Sequence, residues 1–123
     1  HTRCSRDWSS DVCSSDLIDI ALKKGLHTAS EVFADRAYLS DASLAPRNRE
    51  GAVIESVERA VLQSSQMITS GKVESLEGGI VTVKAETLCI HGDGKQALPL
   101  AMALQEMIRS LGMELKPFQF DAV

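Results

Sequence analysis

The sequence predicts an α/β fold with parallel strands, and three observations carry that prediction. Helical apolar patterns alternate with short apolar runs along the chain, as strand–helix–strand units require. Two of those runs, Glu31-Val32-Phe33-Ala34 and Thr87-Leu88-Cys89-Ile90, break off into polar clusters. The 123 residues are 44% hydrophobic and 24% charged, an ordinary globular composition and about the size of one domain.

The segment His1 to Leu17 stands apart. It holds two of the three cysteines, the only tryptophan and a stuttered Ser-Ser-Asp, with neither helical nor strand periodicity. It lacks the apolar stretch of about 7–15 residues that a secretory signal needs. The spacing of Cys4 and Cys13 fits no zinc pattern. The string from Cys4 to Leu17 reads as a translated sequencing adapter. Residues 1–17 are therefore expected to be an artefactual or disordered tail, and residues 18–123 the domain.

Ile18 to Leu26 reads as the end of a helix. Lys23 and Lys24 suit the negative end of its dipole, and Gly25 suits the left-handed residue that follows. Glu31 to Ala34 reads as a short buried strand. Leu39 to Gly51 is a loop, with Pro46 holding Ala45 away from helical angles. Ala52 to Ser70 is predicted helical through Ile54, Val57, Val61 and Ile68, with Ser56 as N-cap if the regular helix starts there and Gly71 as terminator. Lys72 to Leu76 and Ile80 to Ala85 flank Glu77-Gly78-Gly79, a hairpin built on the Gly-Gly pair. Thr87 to Ile90 is a second buried strand. Lys95 to Leu111 is the last helix, with Leu100, Leu104, Met107, Ile108 and Leu111 on its apolar face and Pro99 in its first turn. Met113 to Lys116 is a short strand or a tail.

Composition excludes several functions. The net charge is -4 and no Lys/Arg cluster stands out, which argues against a nucleic-acid partner. Five aromatics are too few for a base-stacking platform. No apolar run reaches the roughly 18 residues of a membrane span. Cys89 is the only cysteine after residue 17, which fits a cytoplasmic location.

The candidate chemistry sits where the two strands end. In α/β folds, loops at the C-terminal ends of strands converge on active sites. One strand is followed by Asp35-Arg36-Ala37-Tyr38, the other by His91-Gly92-Asp93-Gly94. Histidine moves protons near neutral pH, a carboxylate serves as base or ligand, and the glycines let backbone approach a ligand. Blander readings stand beside these. Asp93 can cap the last helix, His91 can be a satisfied core-edge residue, and Asp35 with Arg36 can be a structural ion pair. Arg47 can be solvated, Tyr38 can pack or hydrogen-bond near the pocket, His27 is expected at the surface, and Cys89 is expected buried and inert. His91 to Gly94 is not a phosphate loop, because the long glycine spacing and the following Lys-Ser/Thr are absent.

The runs Glu31 to Tyr38, Leu44-Ala45-Pro46-Arg47, Gly51-Ala52-Val53-Ile54 and Cys89 to Gly94, in this order and spacing, resemble the C-terminal part of the LamB/YcsF family. The likeness covers about Gly25 to Leu111. It implies the C-terminal part of a seven-stranded β/α barrel similar to glycoside hydrolase and deacetylase folds, incomplete in this chain. It implies one component of an ATP-dependent 5-oxoprolinase, which opens the lactam of 5-oxo-L-proline to L-glutamate as ATP goes to ADP and phosphate. Magnesium would accompany the ATP, and subunits B and C would be the partners; a dedicated metal is left open. Under this resemblance Asp35, His91 and Asp93 are the expected catalytic residues. Arg36, Arg47, Tyr38, Gly92 and Gly94 are the expected substrate-binding residues. Family motifs of the types LNxDxGE, CGxHAGD, GAHPxxxD and KPHGxLY are absent, so this segment is expected to be inactive alone and to expose apolar faces. The competing readings are a metal-dependent deacetylase-like hydrolase, which needs two further histidines, and a non-catalytic interaction module.

Overall fold

The computed structural model describes residues 11–117, with side chains described from Leu17 onward. Its elements are α1 (Asp11–Lys23), β1 (Glu31–Phe33), α2 (Val57–Ser70), β2 (Lys72–Glu74), β3 (Ile80–Thr82), β4 (Thr87–Cys89) and α3 (Ala97–Ser110). β1 and β4 pair in parallel with Val32 opposite Leu88 and Phe33 opposite Cys89. β2 and β3 pair antiparallel with Val73 opposite Val81. The α/β class read from the sequence is what forms. Among the described residues the sheets hold two strands each.

α1 begins at Asp11, so residues 11–17 have a helical backbone where a tail is expected. The remainder of that segment, residues 1–10, lies outside the described residues. The helix closes as the sequence indicates. Gly25 takes φ 79°, and the Leu26 N–H reaches back to the Ala21 carbonyl at 2.9 Å.

α2 starts five residues later than Ala52. Ala52 to Glu55 stay outside the helix, with Ala52 and Ile54 buried against the chain leaving β1. The Ile54 N–H donates to the Asp35 carbonyl at 2.9 Å, and the Ala37 N–H to that of Ala52 at 2.8 Å. Ser56 is the cap, its hydroxyl accepting from the Arg59 N–H at 3.3 Å. Gly71 ends the helix at φ 68°, where a side chain would be strained and its Cβ would lie 3.3 Å from the Val83 carbonyl.

Ala60, Ser64 and Met67 form the buried stripe of α2, at spacings of one helical turn. Ser64 is tolerated there because its hydroxyl donates to the Ala60 carbonyl at 2.7 Å. Leu100, Leu104 and Ile108 form the matching stripe of α3, which packs on α2. Ala34, Ile54, Ala60, Leu100 and Leu104 make one core cluster. Val32, Tyr38, Leu44, Met67, Val73 and Val81 make a second, on the hairpin side. Leu88 of β4 packs against both.

One further expectation changes, and one stated alternative is decided. The hairpin turn is wider than a Gly-Gly pair: the Ser75 N–H bonds the Gly79 carbonyl at 2.7 Å, and the Ser75 hydroxyl accepts from the Gly79 N–H at 3.1 Å. A backbone turn, the Gly78 N–H to the Ser75 carbonyl at 3.0 Å, lies inside this loop, and the serine side chain adds to its closure. Met113 to Lys116 forms no strand. The outer face of α3 stays open, with Leu98 and Met102 exposed, as are Ile20 and Leu22 of α1. No helix of the described residues is long and apolar enough to cross a membrane.

Tyr38 is fully buried, and its hydroxyl accepts the Phe33 N–H at 2.9 Å, tying β1 to the second cluster. Tyr38→Phe is expected to lower unfolding free energy by about 1–3 kcal/mol, the cost of leaving a buried donor unmatched. Urea denaturation followed by circular dichroism reads this; an unchanged midpoint would show that water replaces the hydroxyl.

Candidate active site

β1 and β4 run in parallel, and two residues past the Phe33–Cys89 pair stand Asp35 and His91. The last ladder contact, from the Ala34 N–H to the Cys89 carbonyl at 3.0 Å, fixes both exits at one height. His91 Nδ1 lies 3.0 Å from each oxygen of the Asp35 carboxylate. The His91 backbone N–H donates to Asp35 Oδ2 at 3.2 Å. Asp35 is the more enclosed partner, with 13% of its side chain exposed against 29% for His91.

This geometry decides the imidazole's orientation. An ionised carboxylate only accepts, so Nδ1 carries the hydrogen and Nε2 is the basic nitrogen. The ring is held on a second side by Phe33, stacked at 5.9 Å between centroids and 17° between planes. An imidazole with one nitrogen bound to a carboxylate and the other free can take a proton from water or a hydroxyl. The same arrangement suits a metal-ligating histidine. Among the described residues, however, no three His, Cys, Asp or Glu side chains gather as a metal site requires.

The remaining expected residues divide. Arg36 is buried, 5% exposed, and its Nη2 donates to the Ala45 carbonyl at 2.7 Å. It pins the Leu39–Gly51 loop and forms no ion pair with Asp35, whose carboxylate is turned to His91 instead. Burial pushes the Arg36 guanidinium below its usual range, Arg47 adds to this, and nearby Asp35 opposes it. Arg36 Nε is buried without a hydrogen-bond partner. Tyr38 is fully buried, with its hydroxyl on the Phe33 N–H. Arg47 is exposed on the loop. Gly92, Asp93 and Gly94 are exposed, and a Cβ built on either glycine meets open space. Asp93 does not cap α3, whose N-cap is Gln96 without a side-chain bond. His27 is exposed, as expected.

Two contributors have no obvious mark in the sequence. Phe33 reads there only as a strand residue. Gln63 of α2 reads as a solvated helix position, yet its Nε2 contacts the carbonyls of Phe33 at 3.2 Å, Ala34 at 3.4 Å and Arg36 at 2.8 Å. Those partners lie 27 to 30 residues away, beyond any local pattern.

Comparison with known proteins identifies the family. The family model described as the LamB/YcsF family matches residues 10–122. The chain belongs to the LamB/YcsF family. It is 43% identical over 104 residues to the A subunit of 5-oxoprolinase from Bacillus subtilis (strain 168), covering 85% of this chain and 40% of that protein. It is 42% identical over 99 residues to the A subunit of 5-oxoprolinase from Histophilus somni (strain 129Pt), covering 80% and 40%. The lactam utilization protein from Thermus thermophilus superposes with a TM-score of 0.74 at 42% identity, over 80% of this chain and 38% of that one. The chain thus spans about 40% of the length of the curated relatives it matches. The matched residues include both Asp35 and His91.

Cys89 lies at the end of β4, and burial pushes its thiol up, with Glu31 and Asp35 adding to the rise. The thiolate is the reactive form, so the fraction available at pH 8 falls. Alkylation of Cys89 by iodoacetamide at pH 8, resolved from Cys4 and Cys13 by peptide mapping, is expected to run several-fold slower in the folded chain than in urea. Equal rates would mean that the strand end opens freely.

Proposed function

We propose that this segment supplies the acid–base element of the A subunit of a 5-oxoprolinase, in which the Asp35–His91 pair promotes hydrolysis of the lactam of 5-oxo-L-proline to L-glutamate. The single observation that carries the reading is the Nδ1–carboxylate contact of 3.0 Å at paired strand ends. The family membership and the relatives' names support the substrate class. In this reading Asp35 holds the imidazole with Nε2 outward, and Nε2 takes the proton of the water that attacks the lactam carbonyl carbon. The C–N bond then breaks as the ring nitrogen takes that proton back from Nε2, which frees the imidazole and leaves the nitrogen as the amine of glutamate. A five-membered lactam is a weak electrophile, and coupling to ATP hydrolysis supplies the driving force for its opening.

ATP, with its magnesium, is a co-substrate of the assembled enzyme, and subunits B and C are the partners. Gly92 and Gly94 border open space, and the part assigned to this segment is proton transfer. Arg47, exposed on its loop, is assigned to the substrate carboxylate, and Asp93 to polar positioning. Arg36 acts from behind by fixing that loop at Ala45. The parallel pair β1–β4, with α2 between them in sequence, is consistent with one unit of a seven-stranded β/α barrel.

A chimera tests this directly. In it, the matching stretch of this chain replaces that of the Bacillus subtilis relative, assembled with its partner subunits. The chimera is expected to form glutamate from 5-oxoproline with ATP consumed. His91→Ala or Asp35→Ala should lower kcat by about 10²–10⁴-fold, the usual worth of a general acid–base group. Full activity in both variants would remove the pair from the reaction.

A further inference from the structure

We propose that Gln63 is the positioning residue of the Asp35–His91 pair. Its carboxamide clamps the chain on both sides of Asp35. The contacts reach the carbonyls of Phe33 and Ala34 before it, at 3.2 and 3.4 Å, and that of Arg36 after it, at 2.8 Å. A carboxamide has two N–H bonds, so the Arg36 carbonyl takes the short one and the other two carbonyls share the second. The chain turns at Ala34-Asp35 on leaving β1, and this turn is what brings three carbonyls toward one nitrogen.

The clamp acts on chemistry because of what lies between its contacts. The Asp35 carboxylate is bonded twice to His91, through the backbone N–H at 3.2 Å and Nδ1 at 3.0 Å. Those contacts hold only while the backbone of residues 34–36 keeps its turn. The Asp35 carbonyl is held by the Ile54 N–H at 2.9 Å, on the extended segment preceding α2. Gln63 adds the hold from α2 itself. α2 is rigidly seated through Ala60, Ser64 and Met67. The placement of Gln63 one residue before buried Ser64 sends its side chain off the packed stripe toward the strand exit. Gln63 touches neither Asp35 nor His91 side chains and needs no substrate to act.

This inference rests on reading Asp35 and His91 as the acid–base pair, and its test separates the two. The chain has three histidines, His1, His27 and His91, so their imidazole resonances can be assigned by substitution. In the unsubstituted chain the His91 Nδ1 proton is expected to exchange slowly, with the nitrogen shifts of a single tautomer. Gln63→Met keeps the length and helix propensity and removes the carboxamide, its N–H donors and its oxygen. It is expected to retain the circular dichroism spectrum while His91 shifts to fast, averaged exchange. Gln66→Met, on an exposed position of the same helix, should change nothing. A folded Gln63→Met chain with the His91 signature intact would overturn the clamp.

If Gln63→Met does not fold, Gln63→Lys restores a donor on a stem long enough to reach. Recovery of both fold and His91 signature supports the proposal. Recovery of fold without the signature, or failure of both variants to fold, overturns it, because Gln63 would then be a general packing residue. Asp35→Asn is run beside them. If it leaves the His91 signature unchanged, the pair itself fails, whatever Gln63 does.

Discussion

A slip of one residue between β1 and β4 would send His91 to the opposite face from Asp35, because side chains alternate along strands. The register of this one parallel pair is therefore the constraint on which the site depends. Strands of three residues cannot hold a register by ladder bonds alone. Burial settles it instead. Val32 must face the hairpin-side cluster and Ala34 the helix-side cluster, while Leu88 packs against both. With those positions fixed, Phe33 meets Cys89, and the residues two steps on meet as well.

The end of a strand is where backbone groups lose their ladder partners, and here side chains take over. The Tyr38 hydroxyl receives the Phe33 N–H, the Asp35 carboxylate receives the His91 N–H, and Gln63 serves three carbonyls. Arg36 does the same for the loop by donating to Ala45. Buried backbone groups left unmatched are costly, so each of these side chains is held in place by the chain it satisfies. The site inherits its geometry from this accounting. The carboxylate that orients His91 is also one of the groups satisfying backbone.

The elements are largely legible in the sequence, since apolar runs and glycine stops act locally. Leu100, Leu104 and Ile108 announce α3, and Gly71 announces the end of α2. The start of α2 is not legible, because Ala52 and Ile54 also fit a helical pattern. Their burial follows from pairing with the chain beyond β1, a contact that periodicity cannot register. At the site, Asp35 and His91 stand out as polar residues closing two apolar runs, and the structure joins them. Arg36 and Tyr38 stand in the same cluster but are buried beyond the turn, where their side chains bond the Ala45 carbonyl and the Phe33 N–H. Gln63 has no local signature at all. Its role exists only where α2 passes the strand exit.

Among the described residues, the groups that brace the pair directly lie between Phe33 and His91: the two strand exits, the stacked Phe33 ring, the Tyr38 hydroxyl and the Gln63 carboxamide. One strand–helix–hairpin–strand unit therefore builds and supports it. The exposed Leu98 and Met102 lie on α3, on the face away from the stripe that packs α2. Whatever that open face meets in a longer protein would reach the pair through α3 and the helix-side cluster, which also holds Ala34 and packs Ile90, the residues next to Asp35 and His91. The helix-side cluster of Ala60, Leu100 and Leu104 is the mechanical link. Gln63, on the same helix as Ala60, stands where that link ends at the strand.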